Sequence, residues 1–535
     1  MYVGSRIVLT LLRVDRDNKI SKNPCIVFIE SSFPSSINPD NRKTNDNTTN
    51  NSSAIKSPPD FLFLNEIIPK KGIVNITIKQ IVAEILYVEI IKKHNNRSTI
   101  INLYRCLCKF SMTRLPMLPL PLSMIVLRRT HQCSPSARCV NKDTGVEILG
   151  RSLEGKRVLV IVSGGIAAVE SVRLCREFRR HSAELTIMMS KEAEKIISPL
   201  ALSWASGQEV LTDWEPEMKQ LDSFDIVLVA PATRNTISKH IHGVMDSPIM
   251  MALSASRGNN TPIVFVPSMH QDLFDDPVTS DLLEKIILEG NHYFVDSEKE
   301  GRRKQPSPIV IVSKVSNLVN STLPKRKKVA ITLGATRAPI DSVRAIQNAS
   351  SGRTGWAIAE HLFMMGHDVH CVAGKTSAQP NFDLPNISRA GSPEEMLNES
   401  ILLAKSDFKP NVWIHSAAVL DYSMNPIDGK VPSGREKWNI ELQPTMKHIP
   451  ELSKFVGECI RFGFKLETSV SEEELIQKSL NQISEYGVDY VIANILDQIN
   501  DINLPRARLV SGDGSFKILL TEYDMCLEIE KIISK

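Results

Sequence analysis

The sequence predicts an α/β protein in which two parallel-sheet domains follow a poorly structured amino-terminal extension. Three observations support this fold class. Short apolar runs alternate with amphipathic stretches from about residue 150, the alternation begins again near residue 327, and residues 1–125 show neither pattern. Strands that alternate with helices are typical of a parallel sheet with helices on both faces. We therefore expect an extension over residues 1–125 and domains over residues 126–322 and 323–535.

The composition is that of an ordinary globular protein with a balanced charge. The 535 residues include 64 Lys and Arg against 60 Asp and Glu, which gives a net charge of +4. A charge this small gives no argument for a nucleic-acid partner or a membrane surface. The nine cysteines show no metal-ligand spacing, so a reduced, cytoplasmic protein is expected. The most apolar stretch, residues 73–91, contains Lys79, Glu84 and Glu89, so no membrane span is expected.

The extension has the composition of a segment that does not fold by itself. Residues 36–60 are dense in Asn, Ser, Thr, Asp and Pro, which bury too little apolar surface to offset the entropy of ordering. Residues 114–121 alternate Leu, Met and Pro, which fits neither a helix nor a central strand. Met124 is a candidate for the true start of the chain.

Four apolar runs in the first domain are candidate buried strands. They are residues 157–162, 184–189, 225–229 and 262–266. Residues 169–180 form a helical stretch between the first two runs.

Small and hydroxyl-bearing side chains follow these strands where each one ends. They are Ser163, Gly164, Ser190, Thr233 and Asn235, and Met269 and His270 follow the fourth strand. Ligands bind at the carboxyl ends of parallel strands, and glycine beside a helix N-terminus suits a phosphate. A tight turn or a helix cap is the alternative at each position, and the GxGxxG spacing of a dinucleotide site is absent. Four such strand ends in one domain favour a ligand with a phosphate and a ring.

The second domain repeats the alternation. We expect strands at residues 328–333, 367–373, 411–416 and 490–493, and a helix at residues 355–365.

A long loop rich in Gly, Ser and Thr, residues 334–355, links the first of these strands to the helix. It carries Arg337, Arg344 and Asn348, and arginines pair with phosphate while an amide can hold an oxyanion. A purely structural loop is the alternative. Lys430 lies on a turn-rich segment, where a lysine is more often a solvated charge.

Four segments of the first domain resemble the flavin-binding domain of phosphopantothenoylcysteine decarboxylases. They are SGGIAAVES, IMMSKEAEKIISPLAL, APATRNTISK and VPSMHQDLF. The resemblance implies a Rossmann-like fold of the flavodoxin type that binds FMN. It assigns the flavin contacts to Ser163, Gly164, Ser190, Thr233 and Asn235. It places Met269 and His270 at the substrate, and the Pro-x-Met-His form and the flap EKEGRRK are similar to the archaeal branch.

One position departs from the family pattern. The family carries a catalytic His eight residues before the Asp that opens the APAT strand, and Glu217 stands at this position before Asp225. An imidazole exchanges a proton near neutral pH, whereas an ordinary glutamate does not serve as an acid there. Either the decarboxylase half is inactive or Glu217 acts as its acid.

Residues 327–500 resemble the phosphopantothenate–cysteine ligase domain over nearly their whole length. The motifs are GATRAPID, NASSGRTG, SAAVLDY, GKVPSG, LQPTMK and GFKLET. The resemblance assigns Asn348 to the acyl-nucleotide intermediate and Lys430 to the nucleotide phosphates. It assigns further nucleotide contacts to Ala418, Asp421, Met446, Ile449 and Phe464. Tyr486 stands where bacterial members carry a lysine, which leaves the nucleotide preference open.

Together the two resemblances imply a bifunctional enzyme of coenzyme A biosynthesis. The ligase would join cysteine to 4'-phosphopantothenate through an acyl-cytidylate made from CTP, with Mg²⁺ neutralising charge. The flavoprotein half would decarboxylate the product to 4'-phosphopantetheine. Family members assemble through both domains, so a homo-oligomer is expected, whereas the metal ligands are not identified. Two alternatives stay open: a ligase with an inactive FMN-binding scaffold, and a flavin module of another kind.

Overall fold

The structure is a computed structural model that describes residues 5–11, 25–31, 143–299, 302–434, 436–499, 501 and 503–535. The chain forms two compact units, Met1–Arg129 and Thr130–Lys535. In the first unit, strands β1 (Ser5–Leu11) and β2 (Cys25–Ser31) pair in antiparallel fashion. The rest of the predicted extension lies outside the described residues, so its poorly structured character stays a prediction.

The described residues of the first domain contain nine further strands. They are β3 (Arg157–Val162), β4 (Glu184–Met189), β5 (Val210–Leu211), β6 (Ile226–Ala232), β7 (Ile263–Pro267), β8 (Met269–His270), β9 (His292–Tyr293), β10 (Glu298–Lys299) and β11 (Arg302–Arg303). Six of them form a parallel sheet in the order β5-β4-β3-β6-β7-β9. The four predicted strands are confirmed as β3, β4, β6 and β7. The central strands β3, β6 and β7 are buried along almost their whole length, as a sheet covered on both faces requires.

Eight helices belong to this domain in the described residues. They are α1 (Ser171–Arg180), α2 (Lys191–Glu194), α3 (Pro199–Ser206), α4 (Arg234–Ile241), α5 (Pro248–Gly258), α6 (Gln271–Phe274), α7 (Pro277–Leu288) and α8 (Pro308–Ser321). Proline stands in the first turn of α3, α5, α7 and α8, where its missing N–H has no partner to lose. The predicted helix 169–180 is confirmed as α1, after a short 3-10 turn at Ile166–Glu170.

The flap forms a small sheet of its own. Strands β10 and β11 make an antiparallel hairpin, and β11 also pairs with β8 in the order β10-β11-β8. The register places Met269 opposite Arg303 and His270 opposite Arg302. The flap strand β11 therefore runs alongside Met269 and His270, the two residues that are expected at the substrate.

The second domain contains twelve strands in the described residues. They are β12 (Lys328–Leu333), β13 (Arg337–Pro339), β14 (Ala345–Gln347), β15 (Asp368–Ala373), β16 (Asn386–Arg389), β17 (Val412–His415), β18 (Tyr422–Ser423), β19 (Gln443–Pro444), β20 (Ile460–Glu467), β21 (Tyr490–Ile495), β22 (Ala507–Ser511) and β23 (Phe516–Leu519). Eight of them form one sheet in the order β16-β15-β12-β17-β20-β21-β22-β23. The pairs from β16 to β21 are parallel, and β22 and β23 join in antiparallel fashion.

Two antiparallel hairpins stand off this sheet, β13–β14 and β18–β19. The helices are α9 (Arg353–Met364), α10 (Pro393–Lys405), α11 (His448–Ser453), α12 (Glu472–Tyr486) and α13 (Glu522–Ile533). The four predicted strands are confirmed as β12, β15, β17 and β21, and the predicted helix as α9. Within the described part of the chain, no helix is long and apolar enough to cross a membrane.

The two domains share one hydrophobic core. Ile311 and Val315 of α8 pack in the same buried cluster as Phe178 of α1 and Leu362 of α9. Helix α8 therefore lies between the domains and presents an apolar face to both of them.

Polar contacts fix the position of α8. The Asn320 Nδ2 donates to the carbonyl oxygen of Ser152 at 2.7 Å and to that of Met364 at 2.8 Å. Gly366 lies so close that an added Cβ would meet the Asn320 carbonyl carbon at 2.3 Å. One amide thus joins a backbone segment of each domain, and Gly366 permits the close approach.

Candidate active sites

A cavity of about 350 Å³ opens beside the carboxyl ends of β3, β4 and β6. Its lining residues are Ser163, Gly164, Ser190, Glu192, Thr233, Asn235, Thr236, Lys239, Ser247, Ile249 and Met250. All five predicted flavin contacts are among them. The structure therefore brings together residues that lie as far apart in the chain as Ser163 and Asn235.

Hydrogen bonds tie the ends of β3 and β6 together at this cavity. The buried Ser163 hydroxyl donates to the Pro231 carbonyl at 2.7 Å and accepts from the Thr233 N–H at 3.0 Å. Thr233 also caps α4, since its hydroxyl accepts the Thr236 N–H at 3.3 Å. Ser190 caps α2 in the same way through the Ala193 N–H at 3.1 Å. The helix-cap alternative is therefore correct at two positions, and both caps still face the cavity.

Close packing explains the glycine of this turn. A Cβ on Gly164 would lie 2.3 Å from the Cβ of Glu192, so any side chain there would push α2 away. Gly164 thus keeps the start of α2, with Ser190, against the end of β3.

The lining residues fit a flavin mononucleotide. Hydroxyl groups, the Asn235 amide and the Lys239 ammonium are suited to a phosphate and a polyol chain. The N-terminus of α4 adds backbone N–H groups on the same side. Ile249 and Met250 supply an apolar wall for a ring. Lys239 was missed in the sequence, although it lies one helical turn after Asn235 and so shares its face.

Met269 and His270 pair with the flap strand β11 and do not line this cavity. The His270 side chain is 55% exposed, and its Nδ1 lies 3.1 Å from the Asp272 carboxylate. By contrast His240, on α4, is buried against Phe265, and burial lowers its pKa to about 4. Of these two imidazoles, only His270 is accessible to a substrate.

Glu217 lies apart from the cavity. Its side chain is 72% exposed and its Oε2 lies 3.1 Å from the Nζ of Lys219. It precedes Met218, whose φ of 49° turns the chain in a left-handed conformation. The structure does not bring Glu217 to the residues with which it was expected to act.

In the second domain, Asn348 and Ala418 meet at the ends of β12 and β17. The Asn348 Nδ2 donates to the Ala418 carbonyl at 3.1 Å, and the same carbonyl accepts the Thr336 N–H at 3.1 Å. The Ala418 N–H in turn donates to the Gly334 carbonyl at 2.8 Å. The side-chain amide of Asn348 therefore lies where β12 and β17 end and the loops that follow them begin.

The glycines of the loop 334–355 serve chain packing. Gly334 and Gly352 have φ values of 80° and 78°, and a Cβ on either would meet the Thr376 side chain at 2.7 Å or 2.5 Å. A Cβ on Gly355 would lie 2.4 Å from the Cβ of Leu333. These glycines therefore permit the close approach of three backbone segments.

Lys430 is exposed on a segment that crosses the β13–β14 hairpin. We call residues 427–434 the lysine loop. The Ile427 N–H donates to the Ile340 carbonyl at 2.9 Å, and the Ser342 N–H donates to the Gly429 carbonyl at 3.1 Å. The lysine loop is thus attached to the hairpin that leads to Asn348.

A larger cavity of about 820 Å³ lies near the carboxyl ends of β15 and β16. Its lining residues include Arg337, Lys375, Asn398, Thr445, Met446 and His448. Of the predicted contacts in this domain, Met446 is the one that lines it. Burial lowers the pKa of His448 to about 4, so a neutral imidazole faces the cavity at physiological pH.

The remaining predicted contacts lie around this cavity. Asp421 forms a short ion pair with Lys447, the neighbour of Met446, and this hydrogen bond raises the pKa of Lys447. Phe464 is half-buried against the shared core, and Ile449 is half-buried against the cluster under α12. The structure therefore joins Asp421 to Met446 through Lys447 but leaves Phe464 and Ile449 in packing positions.

The described residues contain no group of three or more His, Cys, Asp or Glu side chains that could hold a metal ion. Mg²⁺ commonly binds through one or two carboxylates together with substrate phosphates. The chain's own residues therefore offer no metal cage within the part that the structure describes.

Two family models match the chain, one over each domain. The model "Flavoprotein" matches residues 147–320, and the model "DNA/pantothenate metabolism flavoprotein C-terminal domain" matches residues 324–510. The coenzyme A biosynthesis bifunctional protein CoaBC of Thermococcus kodakarensis is 38% identical over 356 residues, which cover 65% of this chain and 87% of that protein.

The protein of the same name from Methanocaldococcus jannaschii is 32% identical over 386 residues, which cover 71% of this chain and 90% of that protein. Among solved structures, a DNA/pantothenate metabolism flavoprotein from Streptococcus pneumoniae is 26% identical, with a TM-score of 0.35. It covers 38% of this chain and 98% of its own length.

Proposed function

The chain belongs to the family of coenzyme A biosynthesis bifunctional proteins, and we propose that its two domains catalyse consecutive steps on one substrate. The second domain ligates cysteine to 4'-phosphopantothenate, and the first decarboxylates the product to 4'-phosphopantetheine. The observation that carries this proposal is the convergence of all five predicted flavin contacts on one cavity, in a chain whose other domain presents Asn348 at the ends of β12 and β17.

The ligase step proceeds in two displacements. The carboxylate of 4'-phosphopantothenate attacks the α-phosphate of CTP, pyrophosphate leaves, and an acyl-cytidylate forms. The cysteine amine then attacks the acyl carbon, loses a proton, and displaces CMP. Lys430 neutralises charge on the nucleotide phosphates, and the Asn348 amide donates to the oxygen that becomes negative in the acyl transfer.

The decarboxylation takes place at the first domain. FMN, when bound, would supply two-electron redox chemistry at the thiol end of the substrate. Ser163, Ser190 and Thr233 would hold the cofactor, together with Lys239. His270 and the flap strand that pairs with it enclose the carboxylate end of the substrate.

CTP, Mg²⁺ and a homo-oligomeric assembly are parts of this proposal. The motifs around Lys430 and Asp421 support a nucleoside triphosphate, and Tyr486 is the departure that makes ATP the competing nucleotide. Mg²⁺ follows from the charge of that triphosphate. The cytoplasmic location stays a prediction.

A ligase with an inactive FMN scaffold is not favoured. The flavoprotein model matches the first domain from residue 147 to residue 320, and the flavin cavity retains every predicted contact. The departure at Glu217 changes a surface position rather than the lining of the cavity.

Product analysis by mass spectrometry tests the proposal. The purified chain is incubated with 4'-phosphopantothenate, cysteine, Mg²⁺ and either CTP or ATP, and its visible spectrum is recorded. We expect a yellow protein that forms CMP, pyrophosphate, 4'-phosphopantothenoylcysteine and then 4'-phosphopantetheine. Formation of the cysteine adduct without any decarboxylated product would restore the ligase-only interpretation, and no adduct with either nucleotide would refute the ligase assignment.

A further inference from the structure

A buried carboxylate fastens the lysine loop to the β13–β14 hairpin. The Asp341 side chain, which follows β13, has an exposed fraction of 0%. Its Oδ1 accepts hydrogen bonds from the backbone N–H groups of Val343 at 2.8 Å and Arg344 at 2.7 Å. Its Oδ2 accepts the N–H of Val431 at 3.1 Å. One oxygen therefore closes the carboxylate's own turn, and the other holds the residue that follows Lys430.

Arg344 also holds Val431, through the backbone carbonyl of Val431. Its guanidinium donates to the Val431 carbonyl at 3.0 Å and lies 3.4 Å from the Asp341 carboxylate. It also stacks at 4.9 Å over the ring of Trp438, beyond the lysine loop. The N–H and the C=O of Val431 are thus both bound by one ion pair, in which the Asp341 side chain is buried and the Arg344 side chain is 32% exposed.

The charge state of Asp341 suits this role. Its burial would raise the pKa of the carboxyl group, but the three backbone N–H donors and Arg344 outweigh burial and hold the pKa below its ordinary value. The group is therefore an anion at neutral pH and accepts hydrogen bonds only.

We infer that Asp341 is a positioning residue for Lys430, which it holds ready for the nucleotide phosphates. The inference rests on the proposed nucleotide role of Lys430. Because Val431 is fixed at both of its backbone polar groups, the exposed Lys430 side chain starts from a defined backbone position. Less conformational freedom is then lost when the nucleotide binds. The same carboxylate closes the turn that leads into β14 and Asn348, so the two reacting segments share one anchor.

The variant Asp341→Asn separates the two roles of the carboxylate, which are to close its own turn and to hold Val431. Its amide oxygen can still accept from the two turn N–H groups, which leaves the NH₂ group facing the Val431 N–H, donor against donor. We expect the KM for CTP in the ligase reaction to rise by about tenfold, as loss of one buried charged hydrogen bond predicts. The KM for cysteine should not change, and trypsin should cleave after Lys430 faster than in the wild type.

Val431→Pro removes the same N–H from the other side of the contact. The double variant should show no larger rise in KM than either single variant, because both changes break one interaction. Asp513→Asn is the matched control: Asp513 also closes a turn, by accepting the Ser515 N–H at 2.9 Å, but on the exposed β22–β23 connection. It should leave both KM values unchanged.

Lys430→Ala distinguishes failure of this inference from failure of the proposed function. If Lys430→Ala keeps the wild-type KM for CTP, the nucleotide role of Lys430 is refuted, and this inference falls with it. If Lys430→Ala loses nucleotide binding while Asp341→Asn keeps the wild-type KM for CTP, only the positioning role of Asp341 is overturned. Should Asp341→Asn not fold, Val431→Pro decides alone, and an unchanged KM for CTP in it overturns the inference.

Discussion

The flavin cavity and the ligase site are both built on parallel sheets, yet the predicted flavin contacts converge on one cavity and the predicted ligase contacts do not. In the first domain every predicted cofactor contact lines one cavity. In the second, Asn348 meets Ala418, Asp421 reaches Met446 through Lys447, and Phe464 packs into a core. The flavin contacts stand directly at strand ends, whose positions the parallel sheet fixes. Asn348, Ala418, Asp421, Lys430 and Met446 of the ligase site lie on hairpins and loops, whose paths depend on contacts that no local pattern records.

The largest expected effect is on acyl transfer. Asn348→Ala should lower cysteine ligation by about 100- to 1000-fold, as removal of one donor to a developing oxyanion does. The fold should persist, since the half-buried side chain makes a single hydrogen bond to Ala418. The rate of adduct formation and the circular dichroism spectrum measure the two effects. Asn386→Ala, which removes an amide bonded at 3.5 Å to the Val369 carbonyl, is the control and should ligate normally. Normal turnover of Asn348→Ala would refute the predicted role of the Asn348 amide in acyl transfer.

The next effect separates the two candidates for the substrate end of the flavin domain. His270→Ala should lower decarboxylation of 4'-phosphopantothenoylcysteine by about tenfold or more, since an accessible imidazole beside the flap strand is lost. Glu217→Gln should change it by less than about twofold, because a surface ion pair contributes little. Carbon dioxide release under single turnover measures both. The opposite order of effects would restore Glu217 as the acid.

A smaller effect concerns the cofactor alone. Gly164→Ala places a Cβ 2.3 Å from Glu192 and should displace α2 with its Ser190 cap. We expect the flavin content of the purified chain, read from its visible absorbance, to fall severalfold while ligation is retained. In Gly258→Ala, whose Cβ would meet nothing within 4 Å, flavin content should stay at the wild-type level. Full flavin content in Gly164→Ala would remove Gly164 from the cofactor site.

The smallest effect concerns acid stability. Buried and half-buried histidines with lowered pKa values are more numerous in the second domain of the described chain, where they are His361, His367, His370, His415 and His448. The first domain has His240 and His292. Burial is the largest cause in each case, and it lowers the pKa of His415 to about 3 from an ordinary value of 6.5.

Between those pH values the unfolded chain binds more protons than the folded one. The stability contributed by the neutral histidines is therefore complete above about pH 6.5 and is lost as the pH falls toward 4. On acidification, the fluorescence of the buried Trp413 should report unfolding before the flavin is released. If Trp413 fluorescence and bound flavin are lost at the same pH, the difference in histidine number between the domains does not determine the order in which they unfold.

Strand prediction succeeded where apolar runs were continuous. The predicted runs 157–162, 184–189 and 328–333 coincide with β3, β4 and β12, because a strand buried on both faces is apolar along most of its length. Strands β22 and β23 were not predicted. Phe516 and Ile518 of β23 are exposed at the sheet edge, so burial imposes no clear alternation on that sequence.

Site residues were harder to interpret where one residue type can serve two purposes. The glycines at 334 and 352 lie in the loop that carries the predicted phosphate contacts, and in the structure they let three segments pack around Thr376. Lys239 was overlooked because a lysine on a helix face is usually solvated, and only the fold shows that its face lines the cavity. Asp341 ends the motif GATRAPID, but the motif does not reveal what its carboxylate binds, since the N–H group it holds is 90 residues further along the chain.

The position of α8 determines how the chain can be divided. Its apolar side chains complete the interior of both domains. A fragment that ends or begins near Ser321 would therefore expose an apolar helix face to solvent. Dissection of the enzyme into separate catalysts therefore requires that α8 be retained and its outer face be made polar. In the intact chain, we expect packing against α1 on one side and α9 on the other to protect the amide hydrogens of α8 from exchange with solvent.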